Sequence, residues 1–146
     1  MDEAKVSAAE LAELGEEHVP IVGMMAMQVE SVLPGKVTIR VPYRDEFIRP
    51  GGTISGPVLM AAADFAMYGV VLSLIGRVEL AVTTSLNINF LRRPPPGDVL
   101  AKARILKLGR RLAVGEVFLH AGVGEDLVAH VTATYSIPPQ PAPTAR

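Results

Sequence analysis

The sequence predicts an α+β domain in which an antiparallel sheet wraps around one long central helix. Residues 57–75, PVLMAAADFAMYGVVLSLI, form a 19-residue apolar run whose only charge is Asp64. On both sides of this run, apolar and polar residues alternate with the period of half-buried strands. In the second half of the chain, three such segments follow one another across short turns, as successive antiparallel strands do. A helix that is apolar all round must be surrounded, and an antiparallel sheet offers one apolar face for that purpose. The other face of the sheet stays wet or meets a second copy.

Taken in order, the chain begins with Ser7-Ala8-Ala9-Glu10, which has the form of a capping box. Val6 and Leu11 flank it as a hydrophobic staple, so a short acidic helix is expected over Ala8 to Glu17, stopped by Pro20. Two strands come next, Met25 to Leu33 and a second carrying Val37, Ile39 and Val41, joined at the turn dipeptide Pro34-Gly35. Tyr43 to Gly56 holds charges, Pro50 and three glycines, and reads as a loop. Pro57 is placed as the first helical residue, where its missing N–H is no loss, and Gly76 ends the helix. The remaining strands are centred on Leu86 to Phe90, Val99 to Leu108, Leu112 to Ala121 and Leu127 to Tyr135. Residues 1–20 are thus an N-terminal helix and lead-in, 21–136 the main domain, and 137–146 a proline-rich flexible tail.

Composition narrows the possible functions. At 146 residues the chain fits one domain, and its net charge of −1 leaves no basic footprint for nucleic acid. With no cysteine there is no disulfide, no cysteine nucleophile and no thiolate metal site. His18, His120 and His130 lack ligand-like spacing, so no metal is expected. The N-terminus lacks the basic and apolar regions of a signal peptide, and a cytoplasmic location is expected. The apolar run is nearly long enough to span a bilayer, but Asp64 near its centre costs about 2.5–3.5 kcal/mol on insertion scales. A buried core helix is the better reading, with no membrane partner.

Asp64 is the most informative residue. Burying a carboxylate without partners costs several kcal/mol or forces protonation. It either faces a polar gap or pairs with Arg77 or another base, or else it serves as a general base or nucleophile in an apolar pocket. The second reading is favoured because perturbed carboxylates concentrate at functional sites. Gly51 to Pro57 leads into the helix N-terminus, where backbone N–H groups favour anions, and Gly56 is the candidate donor to a developing oxyanion. The same stretch would also serve as an ordinary glycine-rich turn. Gly56 and Asp64 lie eight residues apart, or about 12 Å along one helix. One chain cannot place both on one carbonyl, so joint action requires Gly56 of one subunit to face Asp64 of another.

The segment GGTISGPVLMAAAD, the strand AVTTSLNINFLRRP, Gly97-Asp98 and Gly109 to Arg111 together resemble the hotdog-fold acyl-CoA thioesterases of the phenylacetate-pathway (PaaI) type. The resemblance runs from about Met24 to Tyr135. It implies a hotdog domain with Asp64 as base or nucleophile and the Gly56 N–H polarising the thioester carbonyl. Thr83 would place water, with Thr84 as the alternative if the register slips by one. Ser55 stands where the family has histidine, Pro57 replaces its second glycine, and Arg49 occupies the usual asparagine position. Ser55 can still donate a hydrogen bond near the carbonyl, and Arg49 could meet an acidic acyl group or a CoA phosphate. Arg92, Arg93, Arg110 and Arg111 are further candidates for the CoA phosphates, or are simply solubilising. The implied activity is acyl-CoA hydrolysis by a homodimer or homotetramer, with no cofactor other than the coenzyme A of the substrate. A hotdog protein that binds acyl-CoA without cleaving it, in a regulatory role, is the alternative that Ser55 and Arg49 favour.

Overall fold

The computed structural model describes residues 3–122, 124 and 126–139. Its elements run α1 (Ala8–His18), α2 (Pro20–Met24), β1 (Gln28–Leu33), β2 (Lys36–Val41), a 3-10 turn (Asp45–Phe47), β3 (Ile48–Arg49), β4 (Thr53–Ile54) and α3 (Gly56–Ile75). The series ends with β5 (Val82–Phe90), β6 (Val99–Leu108), β7 (Leu112–Ala121) and β8 (Asp126–Ser136). Six strands form one sheet in the order β1-β2-β6-β7-β8-β5, all neighbours antiparallel, wrapped on α3 in the hotdog arrangement. One helix among the described residues has the length and hydropathy of a membrane span, and it is this core helix, largely buried.

The N-terminal helix is part of the core. The capping box forms, with Ser7 Oγ accepting from Glu10 N–H and the Glu10 carboxylate accepting from Ser7 N–H, both at 3.0 Å. Val6, Leu11 and Leu14 are buried, and Leu11 lies over Gly69 of α3, where any added Cβ would come within 2.6 Å of it. Ser73 of α3 ties two further segments to the helix: its hydroxyl accepts from Gly35 N–H at 2.9 Å, and its carbonyl accepts from Lys5 N–H at 2.8 Å.

Local departures from the sequence expectations have plain causes. Pro20 stops α1 but starts α2 at its first position, where proline costs no hydrogen bond. The first strand consequently begins at Gln28 rather than Met25. Pro57 sits second in α3, after Gly56. The expected loop 43–56 contains the 3-10 turn and the small β3–β4 ladder. Ile137, assigned to the tail, is buried and donates to Arg111 O at 2.8 Å, while residues 140–146 of that tail lie outside the described residues.

Gly115 sets how closely α3 approaches the sheet. A Cβ there would lie 2.7 Å from both Arg104 O and Met67 Sδ. Gly115→Ala should therefore destabilise the protein by about 1–3 kcal/mol through overpacking, read as a lower denaturation midpoint.

On the sheet's other face Glu116 is buried between neighbours, its carboxylate 2.8 Å from His130 Nε2 and 2.5 Å from Arg104 Nε. The hydrogen bond with His130, then that with Arg104, holds this carboxyl below its ordinary value against the opposing effect of burial. A carboxyl group lowered in this way stabilises the fold above its unfolded value of 4.5, and that share is lost as pH falls through the native value. Glu116→Gln should thus be less stable than wild type near neutrality yet lose less stability on acidification. Denaturant titrations across that range check it, and parallel curves would count against it.

Candidate active site

Asp64 is the ninth residue of α3 and points between the helix and the edge of the sheet where β5 meets β8. Its partners are hydroxyl groups, not Arg77, which instead lies 3.5 Å from Glu79. Thr83 Oγ1 donates to Asp64 Oδ1 at 2.5 Å, and the Tyr135 hydroxyl lies 2.9 Å from both Oδ1 and the main-chain oxygen of Asp64. Thr83 and Tyr135 are register partners on β5 and β8, so one cross-strand pair supplies both donors.

A bulge in β5 makes that possible. Leu86 and Ile88 face the helix opposite Ala133 and Val131, and strict alternation would turn Thr84 inward with them. The register shifts between Thr83 and Ser85, so Thr83 faces inward and Thr84 bonds to Thr134 O at 3.2 Å instead.

The cleft at Asp64 has a volume of about 290 Å³. Val19 from the α1–α2 link, Ile21 from α2, Phe65 and Tyr68 from α3, and Ala81 line its apolar part. Among its described lining residues none is cationic, and Glu79 is the other carboxylate. Burial, then the charge of Glu79, raises the Tyr68 phenol above its ordinary value, and its hydroxyl donates to Glu79 O at 3.2 Å. Burial and the charge of Asp64 raise the Tyr135 phenol as well, so it remains a donor.

A second cleft of about 420 Å³ opens at the N-terminal end of α3. Gly56 lines it, and at the first helical position its N–H has no acceptor within the helix. The Ser55 side chain makes no capping bond. Ile54 N–H donates to Pro94 O at 3.0 Å, which draws the segment after β5 against the helix start and brings Arg92 and Arg93 to the cleft beside Arg49. Phe90 forms the wall opposite Gly56, where an added Cβ would meet its ring at 3.2 Å. Arg110 and Arg111 are exposed at the β6–β7 hairpin and line neither cleft. In the single chain, therefore, Gly56, Arg49, Arg92 and Arg93 share one cleft, and Asp64 and Thr83 share the other.

Tyr135 and Phe90 are site residues that the sequence reading missed. Tyr135 continues the inward series Val131, Ala133, and that alternation is visible in the sequence. Its pairing with Thr83 is not visible there, because it depends on the β5 bulge.

Comparison with known proteins places this geometry. Residues 51–132 match the Thioesterase superfamily, more than half of the chain. The chain belongs to that superfamily. A crystal structure named as a thioesterase, from a Silicibacter species, shares 42% identity over 94% of this chain and 95% of its own, with a TM-score of 0.83. A point variant of the phenylacetic acid degradation protein PaaI from Thermus thermophilus shares 27% identity over 80% of this chain and 97% of its own, with a TM-score of 0.71. A protein of Thermoplasma acidophilum named as an esterase is 28% identical over 75% of this chain and 82% of its own length. This hotdog thioesterase is thus a hydrolase of thioesters, and its likeness to PaaI-type proteins stands.

Proposed function

We propose that this thioesterase hydrolyses acyl-CoA at a site shared between two subunits, with Asp64 as general base or nucleophile and Gly56 of the other subunit as oxyanion donor. The observation that carries the proposal is the placement of the two clefts at opposite ends of β5, an edge strand of the sheet. Val82 and Thr83 line the Asp64 cleft, whereas Phe90 and Leu91 line the Gly56 cleft. If the β5 strands of two copies pair antiparallel about a two-fold axis, each strand's beginning lies against its partner's end. The Asp64 cleft of one subunit then joins the Gly56 cleft of the other, as an isologous interface requires. Such pairing also covers a sheet edge that otherwise presents unpaired backbone groups.

The chemistry follows from these positions. The thioester carbonyl oxygen accepts from the Gly56 N–H at the positive end of α3, which stabilises the charge that develops there. On the general-base route, Asp64 takes a proton from water as the water oxygen bonds to the carbonyl carbon. Collapse of the tetrahedral intermediate breaks the C–S bond, and the proton passes to the departing thiolate. On the nucleophilic route, Asp64 itself bonds to the carbon and expels the thiolate, and water then hydrolyses the anhydride. The three arginines Arg49, Arg92 and Arg93 stand where a phosphate-bearing CoA would enter beside Gly56. No metal or resident cofactor enters this scheme, because a thiolate is already a good leaving group.

Asp64→Asn preserves shape and removes the base. Its release of free thiol from acyl-CoA should fall by about 10³-fold or more while binding persists, and unchanged turnover would defeat the proposal. Shared sites also predict complementation. Asp64→Asn and Gly56→Pro proteins should each be inactive alone. Unfolded and refolded together in equal amounts, they should recover about a quarter of wild-type activity, because half the dimers then carry one intact site. No recovery in proven mixed dimers would place both groups in the same subunit's site.

A further inference from the structure

We propose that Tyr135 is a positioning residue for this reaction: with Thr83 it holds Oδ1 of Asp64 and leaves Oδ2 as the oxygen that meets the reacting atoms. This rests on the reading of Asp64 as base or nucleophile. Oδ1 receives the Thr83 hydroxyl at 2.5 Å and has the Tyr135 hydroxyl at 2.9 Å, whereas neither of these bonds reaches Oδ2. The Tyr135 hydroxyl is equally close to the main-chain oxygen of Asp64, so it ties the carboxylate to its own backbone and resists its rotation. Tyr135 is only 3% exposed, so its ring is fixed in the core while the hydroxyl reaches the cleft.

The choice of donors matters chemically. An arginine or lysine on Oδ1 would hold the carboxylate as firmly but would withdraw more of its basicity. Two neutral hydroxyls orient the group without setting an opposing charge against it. The other ionisable groups facing this cleft are Tyr68, on the helical turn after Asp64, and Glu79, which pairs with Arg77 at its rim. The α1–α2 link contributes Val19 and α2 contributes Ile21, neither of which titrates. Because the Thr83 hydrogen is committed to Asp64, Thr83 acts on a reacting water only as an acceptor.

Tyr135→Phe keeps the ring and removes the hydroxyl. The expected result is a kcat about tenfold lower, a KM within about twofold of wild type, and an acid limb of kcat moved to higher pH, because the ionised carboxylate loses a donor. An unchanged kcat and limb would overturn the inference, leaving Tyr135 as packing. A lower kcat with an unmoved limb would also overturn it, since the hydroxyl would then serve only the main-chain oxygen. Should Tyr135→Phe fold poorly, site-specific 3-fluorotyrosine at position 135 gives a second reading. That stronger donor should move the limb to lower pH, and an unmoved limb again counts against the inference. Asp64→Asn, assayed beside these on the same acyl-CoA, separates the two levels. Normal turnover there removes the underlying reading, whereas an inactive Asp64→Asn with a wild-type-like Tyr135→Phe removes only the role of Tyr135.

Discussion

A carboxylate inside an apolar helix needs donors, and the donors must come from elements packed against that helix. In this protein the need is met at one point, where β5 and β8 place a threonine and a tyrosine opposite each other under Asp64. That pairing constrains the rest. It requires β5 to lie beside β8, the two strands to be in register at Thr83 and Tyr135, and α3 to run with its N-terminus toward Phe90. Once α3 has that direction, the apolar helix carries a carboxylate in one cleft and an unfilled N-terminal donor in the other.

The two faces of the sheet are specialised accordingly. The inner face is built from small and β-branched residues such as Ala101, Ala103, Val117, Ala129 and Val131, which let a helix approach closely. Gly115 extends this to direct contact with Met67. The outer face carries charge, and there Arg104 and His130 satisfy the buried Glu116. Arg104 also lies over the Phe118 ring, 5.9 Å from its centre. Half-buried Asp64 and buried Glu116 thus each have their own pair of donors, neutral beside the cleft and basic on the far face.

Much of this was legible in the sequence. The central helix, the six main strands and the capping box follow from periodicity, punctuation and cap chemistry, which are local properties. Asp64 stood out because it violates its surroundings, and Gly56 because it opens a helix after a glycine-rich loop. What the sequence did not disclose depends on how distant segments meet. Arg92 and Arg93 reach the Gly56 cleft, whereas Arg110 and Arg111 do not, because Ile54 bonds to Pro94 and not to the β6–β7 hairpin. Tyr135 escaped notice because its function is a cross-strand relation. The burial of Ile137 was hidden by the prolines that follow it.

The extra residue in β5 works like a change of phase near the start of a wave. Downstream of it, the strand answers to the hydrophobic interior; upstream, the same strand answers to a single carboxylate. Substitutions that retune one part need not disturb the inside–outside order of the other. Two adjacent threonines at this junction also mean that losing or gaining one residue exchanges which hydroxyl looks inward. The chemical end of the strand is thereby buffered against a register error that elsewhere in a sheet would turn the interior outward.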